Sequence, residues 1–430
     1  MGNFIFHGCD TVELAREFGT PLYVVSEDEI IDRIRTIKSC FDERYERCRT
    51  HFASKAFLTR DMLRILADEG LGLDVVSGGE LYLARDMDFP AERIAFHGNS
   101  KTAGEISEGM EYGVGKFVCD SLDEISLIDE MARARGKREN ILIRVNPGVE
   151  GNTHRHMLTS GGRTKFGMSP EAIKSAMPAC MGMANIALSG FHFHVGSQLM
   201  DASAHIEAMD VVLALIAEAR SEMGFETRIL DMGGGFGISY TASDKPIPIE
   251  GFIEAMVERA ERFCSGAGIK RPYLIIEPGR YIVGPSGITL YTVCGVKEVP
   301  GVAVYAGVDG GYPDNPRPAL YESVYAAVAA NKFGESPVRD VTLAGKCCES
   351  GDIVIRDIAL PALERGDVIA VLCTGAYNHS MANNYNKVPI PAIVAVKDGH
   401  PRLSVRRQTY AELYSRDQPD KVKARAVPAA

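Results

Sequence analysis

The chain alternates short apolar runs with longer stretches of helical periodicity, and it does so eight times in succession. The eight apolar runs are HFASK, LGLDVVS, RIAFHGNS, KFVCDS, ILIRVNPG, LSGFHFHVGS, ILDMGGGF and LIIEPGR. Between them, apolar residues recur every three or four positions, which is typical of amphipathic helices. Eight such units predict an α/β fold with a (β/α)8 TIM-like barrel, because parallel strands joined by right-handed helical crossovers close into that shape.

A doubly wound parallel sheet is the competing architecture. It normally has fewer strands and carries a glycine-rich phosphate fingerprint after the first one. Here Lys55 stands in that place, so we favour the barrel.

The pattern changes after Arg280 to strand-rich segments separated by turns, which predicts a C-terminal antiparallel β domain built as a barrel or sandwich. The apolar strand near Leu22–Val25 is expected to join it. Ser26, with Glu29 three residues later, predicts the start of the helix that leads into the barrel. The predicted limits are 26–280 for the barrel, 1–25 plus 281–417 for the β domain, and 418–430 for a disordered tail.

The charge balance argues against a nucleic-acid partner, since 47 Lys and Arg face 57 Asp and Glu, a formal net charge of −10. No apolar run is long enough to span a bilayer, and no secretory leader is evident, so no membrane partner is expected. The ten cysteines are scattered without CxxC pairs. That spacing suggests neither a zinc site nor a disulfide framework, and it predicts reduced thiols in the cytoplasm.

Lys55 ends the first apolar run of the barrel, in the sequence SKAF. A lysine amine held at a strand end beside apolar groups can lose its proton and condense with an aldehyde, which is how pyridoxal phosphate is tethered. The alternative is a solvated lysine in a loop.

The segment GGGFG, residues 233–237, follows the seventh strand. Glycines there let backbone amides approach an anion such as a phosphate, although a tight turn would also need them. The glycine spacing and the position in the seventh unit do not fit a dinucleotide fingerprint.

His192 and His194 lie on the same face of the sixth strand, and Ser197 lies just beyond its end. An imidazole can stack on a pyridine ring, and the serine hydroxyl can donate to a phosphate oxygen. Two histidines at this spacing could also ligate a metal or be satisfied core residues. No third metal ligand is evident, so no metal is predicted.

The motif EPGR closes the eighth strand with Glu277 and Arg280. A carboxylate at this position could hold a protonated pyridine nitrogen, which turns the ring into an electron sink. A surface ion pair between the two residues is the alternative.

Three polar loops follow between the later strands: DNPRPALY, KCCESGD and TGAYNHSMANNYN. In them, Arg317 can grip a carboxylate with two hydrogen bonds, Glu349 can pair with an amine, and Cys348 can give a proton. Cys347 points the other way on an extended chain and is expected to serve packing.

In this order the motifs SKAF, GLDVVSGGE, HVGSQ, GGGFG, EPGR, DNPRPALY, CESGD and SMANNYN resemble those of the barrel-type pyridoxal-phosphate decarboxylases. The likeness runs from about Thr20 to Asp417. The sequence is most similar to the branch that acts on diaminopimelate. The resemblance implies decarboxylation of meso-2,6-diaminopimelate to L-lysine with pyridoxal 5'-phosphate as cofactor.

The resemblance also implies roles for individual residues. Lys55 forms the covalent imine with the cofactor, and Cys348 is the acid that reprotonates the substrate carbon. The implied cofactor-binding residues are Lys55, His194, Ser197, Gly234, Gly235, Glu277, Gly279, Arg280 and Tyr377. The implied substrate-binding residues are Arg280, Arg317, Tyr321, Glu349 and Tyr377. In this family the cysteine comes from a second subunit, which implies a homodimer with shared sites.

The far end of the substrate decides between related activities. A diamino diacid carries a carboxylate and an ammonium there, which Arg317, Arg280 and Glu349 can match. Ornithine lacks the second carboxylate and would leave buried guanidinium groups unpaired.

Asn378, His379 and the loop 151–169 depart from the family pattern and leave open a D-lysine, D-ornithine, L-ornithine or carrier-linked substrate. Rival classes are a barrel-type alanine racemase, a non-catalytic pyridoxal-phosphate carrier and a metal-dependent barrel hydrolase.

Overall fold

The computed structural model describes residues 2–149 and 164–418 of the 430-residue chain. The predicted disordered tail therefore lies, from residue 419 onward, outside the described residues, as does most of the loop 151–169. Within the described ranges, no helix is both long and apolar enough to cross a membrane.

The chain begins in the second sheet and not in the barrel. Its first elements are β1 (Ile5–Phe6), β2 (Cys9–Asp10), α1 (Thr11–Phe18), β3 (Leu22–Ser26) and α2 (Glu27–Arg44). The Ser26 hydroxyl accepts from the Glu29 backbone N–H at 3.1 Å. This cap confirms the predicted start of the helix that leads into the barrel.

Eight parallel strands form a closed barrel, which confirms the predicted architecture. They are β4 (Cys48–Ala53), β5 (Gly72–Val75), β6 (Ile94–Phe96), β7 (Lys116–Cys119), β8 (Glu139–Val145), β9 (Ile186–Phe193), β10 (Ile229–Asp231) and β11 (Tyr273–Ile276). Each strand pairs with the next along the chain, and β11 closes the ring onto β4 with Leu274 opposite Cys48. Ala95, Val118 and Leu142 pack together in a small separate core cluster.

One amphipathic helix follows each of the first seven barrel strands. They are α3 (Arg60–Asp68), α4 (Gly78–Asp86), α5 (Ala103–Tyr112), α6 (Leu122–Ala134), α7 (Pro170–Gly182), α8 (Ser203–Met223) and α9 (Ile249–Ala267). Their apolar faces and the outward faces of the strands form the main core of the molecule. This packing leaves the loops at the C-terminal strand ends free to carry a site.

The rest of the chain builds a mostly antiparallel sheet with short helices. The elements are α10 (Arg280–Val283), β12 (Gly287–Val299), β13 (Ala303–Val308), α11 (Arg317–Tyr321), β14 (Ala327–Ala329), β15 (Arg339–Ala344), β16 (Ile353–Leu360), β17 (Val368–Val371), β18 (Ala392–Lys397), β19 (His400–Val405) and α12 (Tyr410–Leu413). The strand order is β16-β15-β13-β12-β3-β18-β19, and the β14–β17 pair joins through β12. This confirms the predicted second sheet, but β13–β15 and β3–β18 pair in parallel, which the sequence did not indicate.

Strand β3 lies between β12 and β18, as expected for the apolar segment near Leu22–Val25. The limits 26–280 and 281–417 stay a prediction, since the short helix α10 lies between β11 and β12 and strand pairing does not assign it to either part.

Candidate active site

Lys55 lies in a single 3-10 turn, Ser54–Ala56, which directly follows β4 at the C-terminal end of the barrel. The loop between β17 and β18 holds this turn. The backbone N–H of Tyr377 donates to the carbonyl of Ala56 at 2.8 Å, and the Ser380 hydroxyl donates to the carbonyl of Lys55 at 2.9 Å. The Lys55 side chain is exposed into a cavity instead of packing in the core.

Two adjoining cavities of about 200 and 370 Å³ meet at Lys55. Both are lined by Ala53, His194 and Glu277 as well. The smaller cavity gathers most residues of the predicted site, namely Lys55, His194, Ser197, Gly235, Glu277, Gly279, Arg280, Arg317, Tyr321 and Tyr377. The structure therefore brings these side chains together, while the role of each stays a prediction.

The glycine-rich segment after β10 packs so closely that no side chain fits. A Cβ atom on Gly234 would lie 2.1 Å from the Glu277 carbonyl oxygen, and one on Gly235 would lie 2.3 Å from the Gly196 carbonyl oxygen. Gly235 also has a φ of 101°, which disfavours other residues. The segment thus forms a bare backbone wall of the kind that lets an anion approach.

Hydrogen bonds fix the tautomers of the two histidines beside this wall. The Gly234 N–H donates to Nδ1 of His194 at 3.1 Å, so the proton of that imidazole resides on Nε2. Burial lowers the pKa of His194 well below its usual value, which keeps the ring neutral and suited to stacking. His205 lies behind the segment, with its Nε2 2.9 Å from the Gly234 carbonyl oxygen.

Arg280 presents a buried guanidinium group to the same cavity and is only 6% exposed. It donates from Nη2 to the Ser197 hydroxyl at 2.7 Å and from Nη1 to the hydroxyl of Tyr240. Its Nε has no hydrogen-bond partner among the described residues, and both of these hydrogen bonds go to hydroxyl groups and not to a carboxylate. A buried cation left in this state suits an anion such as a phosphate.

Glu277 lies beneath the cavity, flanked by two histidines. Its Oε1 is 3.2 Å from Nε2 of His97 and 3.3 Å from Nε2 of His192. Burial, with the nearby charge of Asp74, raises the pKa of Glu277 to about 6. Burial lowers the pKa of each histidine to about 3. At neutral pH this places a carboxylate between two neutral rings, an arrangement that favours a cationic partner.

The same three residues change the interpretation of the HxH motif. Sequence reasoning paired His192 with His194 and found no third ligand. In the structure, ligand-type atoms of His97, His192 and Glu277 lie within 4.8 Å of one another, and His194 is not part of this group. His97 was missed because it stands alone in the sequence, yet it follows β6 at the strand end where functional residues of such barrels collect.

Arg317, at the start of α11, enters the cavity from the second sheet and is 3% exposed. It donates from Nε to the Tyr325 hydroxyl at 2.8 Å and from Nη2 to the Ser323 hydroxyl at 3.2 Å. Its guanidinium also lies 5.7 Å from the ring centroid of Tyr321. Among the described residues, no carboxylate pairs with it, so it can receive one from a ligand.

Cys348 and Glu349 do not reach the Lys55 cavities within one chain. Cys348 is exposed, and its backbone N–H donates to Oδ1 of Asn386 at 2.9 Å. Glu349 lines a separate cavity of about 680 Å³ together with Tyr312 and Tyr385. Cys347 is half-buried near Asp352, and burial raises the pKa of its thiol to about 12, as suits an inert packing residue.

The two unexpected residues after GAY lie behind the site. Asn378 is fully buried and, in the orientation that its neighbours favour, its amide nitrogen donates to the carbonyl oxygens of Thr374 and Ala376 at 3.1 and 3.0 Å. The His379 ring packs edge-on against Tyr23. In the part of the chain that the structure describes, neither side chain lines a Lys55 cavity.

Three comparisons with known proteins agree. Residues 27–284 match the family model of the pyridoxal-binding domain of pyridoxal-dependent decarboxylases. The diaminopimelate decarboxylase of Bacillus subtilis (strain 168) is 43% identical over 422 residues, which cover 98% of this chain and 96% of that protein. The enzyme of the same name from Bacillus methanolicus is 42% identical over 409 residues, covering 95% of each chain.

Solved structures give the same likeness over nearly the whole chain. Diaminopimelate decarboxylase from M. jannaschii in complex with L-lysine has a TM-score of 0.91 at 36% identity and covers 97% of this chain and 96% of that one. The enzyme from Helicobacter pylori with L-lysine has a TM-score of 0.85 at 29% identity, covering 94% and 98%.

Proposed function

The chain belongs to the pyridoxal-dependent decarboxylases, and from that premise we propose that it converts meso-2,6-diaminopimelate to L-lysine and carbon dioxide. Relatives of that name match it over nearly their full length. The structural observation that carries the choice of substrate is Arg317. This buried guanidinium faces the Lys55 cavity and has no carboxylate partner among the described residues.

The cavity fits pyridoxal phosphate in its charge pattern. Arg280 is a buried cation with an unsatisfied Nε, and the backbone wall at Gly234 and Gly235 admits no side chain. We assign the phosphate to Ser197, Gly234, Gly235, Gly279, Arg280 and Tyr377. We assign the ring face to His194 and the ring nitrogen to Glu277.

When bound, the cofactor supplies an electron sink for the electron pair that stays on the substrate carbon as carbon dioxide leaves. The protein supports that chemistry through two groups. The Lys55 amine would hold the cofactor through its aldehyde carbon. The Glu277 carboxylate would hold a proton at the ring nitrogen, since its own pKa of about 6 leaves it ionised above that pH.

The second carboxylate of meso-diaminopimelate distinguishes this substrate from amino acids that lack the group. Arg317 would bind this group with two hydrogen bonds, with Arg280, Tyr321 and Tyr377 lining the same cavity. A substrate without that carboxylate leaves the Arg317 charge buried and unpaired, which reduces the binding free energy by about 2 to 5 kcal/mol.

The active enzyme is proposed to be a homodimer with shared sites. No cysteine among the described residues lines either Lys55 cavity, so one chain alone lacks the thiol acid there. Cys348 of the partner subunit would give the proton to the substrate carbon, and Glu349 of the partner subunit would pair with the distal ammonium. The exposure of Cys348 on its own chain supports this arrangement.

The proposed location is the cytoplasm. All ten cysteines, which lie within the described ranges, are free thiols. A chain with this many unpaired thiols suits a reducing compartment.

A substrate panel tests the proposal. Purified enzyme is given meso-diaminopimelate, D-lysine, L-ornithine and L-arginine, and both carbon dioxide and the amino-acid product are measured. We expect release from meso-diaminopimelate with stoichiometric L-lysine, and loss of both release and cofactor absorbance in Lys55→Ala. Release from ornithine or D-lysine instead, or an active Lys55→Ala, would contradict it.

A further inference from the structure

Two buried arginines of the site share the same two aromatic neighbours. The guanidinium carbon of Arg280 lies 5.7 Å from the ring centroid of Tyr240 and 4.8 Å from that of Tyr377. The corresponding distances for Arg317 are 5.8 and 5.4 Å. One pair of tyrosine rings therefore contacts both cations, although the arginines come from two different short helices, α10 and α11.

Tyr240 also forms a hydrogen bond with Arg280, and it packs against Tyr325, which forms a hydrogen bond with Arg317. Its hydroxyl accepts from Nη1 of Arg280, whose Nη2 is bonded to Ser197. Its ring packs edge-on against Tyr325 at 5.3 Å and 89°, and the Tyr325 hydroxyl accepts from Nε of Arg317. Tyr240 thus connects the two guanidinium groups through separate parts of its side chain.

The loop that carries Tyr240 is itself fixed. The Tyr240 N–H donates to Oδ2 of Asp244 at 2.9 Å, and the Thr241 N–H donates to the same oxygen at 2.8 Å. Tyr240 is not among the described residues that line the Lys55 cavities. Tyr240 therefore contacts the two arginines from outside the described lining of those cavities.

Two guanidinium groups in a low-dielectric site repel each other, so their separation increases unless other contacts hold them in place. The negative face of an aromatic ring attracts a cation without neutralising it. A carboxylate would instead neutralise the positive charge that is needed to bind an anionic ligand. A shared ring therefore keeps both guanidinium groups in place and still available.

We propose that Tyr240 is a positioning residue that sets the spacing between the arginine that holds the cofactor phosphate and the arginine that holds the distal substrate carboxylate. The inference rests on the proposed function for the assignment of those two anions. Its hydroxyl orients Arg280, and its ring positions Arg317. The two parts of one side chain therefore affect two different affinities.

The test separates the hydroxyl from the ring. In Tyr240→Phe, we expect the dissociation constant of pyridoxal phosphate, measured by absorbance titration, to rise about tenfold while KM for meso-diaminopimelate changes less than twofold. In Tyr240→Leu, we expect KM to rise about tenfold as well. In Tyr325→Phe, we expect the reverse of Tyr240→Phe, a higher KM with an unchanged cofactor affinity.

Tyr112→Phe is the matched control, because its hydroxyl bonds to the carbonyl of Phe89 away from both arginines. It should leave both constants at the wild-type level. Equal effects of Tyr240→Phe and Tyr240→Leu, or an unchanged cofactor affinity in Tyr240→Phe, would overturn the proposal. Should Tyr240→Leu not fold, the Tyr240→Phe and Tyr325→Phe pair decides alone. If wild type bound the cofactor but released no carbon dioxide from meso-diaminopimelate, while Tyr240→Phe still weakened the cofactor, only the proposed substrate would fail.

Discussion

A buried carboxyl group with a raised pKa destabilises the protein that contains it. Folding moves Glu277 from water into the barrel mouth and raises its pKa from 4.5 to about 6. The folded state then binds more protons than the unfolded state between these two values, so stability falls as pH rises through this window. Above pH 6 the full penalty remains, and it amounts to about 2 kcal/mol.

We therefore expect Glu277→Gln to stabilise the cofactor-free protein at pH 8 by up to about 2 kcal/mol while abolishing turnover. The gain should disappear below pH 4.5, where both states are protonated. Urea unfolding across the pH range measures it, with the exposed Glu43→Gln as control. A Glu277→Gln variant less stable than wild type at pH 8 would show that the carboxylate is not under strain.

Single residues show how far the sequence could predict which side chains lie at the barrel mouth. Lys55 and Glu277 could be found because each ends an apolar run that is recognisable as a strand, and barrel strands point their C-terminal ends at one mouth. Tyr240 left no signal, since it lies in a loop with no periodicity and acts through two residues distant in sequence. Cys348 and Glu349 were identified by motif alone, and the single chain does not bring them to the cavity.

At the level of elements, the loop between β17 and β18 secures the turn that carries Lys55. The Ser380 hydroxyl reaches the carbonyls of Lys55 and Ala56 at 2.9 and 3.2 Å. We expect Ser380→Ala to lower the free energy of unfolding by about 1 kcal/mol, since these two bonds tie the second sheet to the barrel. It should also speed hydrogen exchange of the Phe57 amide, which closes the turn onto Ser54.

Ser39→Ala is the matched control for that variant. Its hydroxyl also bonds to a carbonyl, that of Thr36, but within the exposed surface of α2. Denaturant unfolding and amide exchange should find it indistinguishable from wild type. If Ser380→Ala behaved like Ser39→Ala, the loop would not be holding the turn.

Elements were predictable to the extent that their pattern is local. The eight barrel strands and the cap at Ser26 follow from apolar periodicity and neighbouring residues, and the structure confirms them. Strand direction in the second sheet was not predictable in the same way. The parallel pairings of β13 with β15 and of β3 with β18 join segments far apart in sequence, and side-chain alternation is the same for either direction.

At the scale of the whole molecule, the proposed homodimer with shared sites predicts how mixed dimers of two inactive variants behave. Lys55→Ala and Cys348→Ala should each be nearly inactive alone. When they are mixed after unfolding or co-expressed, random pairing makes half of the dimers hybrid, and each hybrid rebuilds one of its two sites. We expect about one quarter of wild-type activity to return. Recovery of none, with dimers present by sedimentation, would contradict the shared site.

The pairing of strand β3 with two later strands affects when parts of the molecule can fold during synthesis. Leu22 pairs with both Leu290 and Ala392, so β3, which is synthesised early, cannot complete its pairing until β18 has been synthesised. The barrel can close in the meantime, but Arg317 and Tyr377 join its mouth only with the late segments. During synthesis the nascent chain therefore lacks these parts of the cavity, and one edge of β3 stays unpaired until β18 is made.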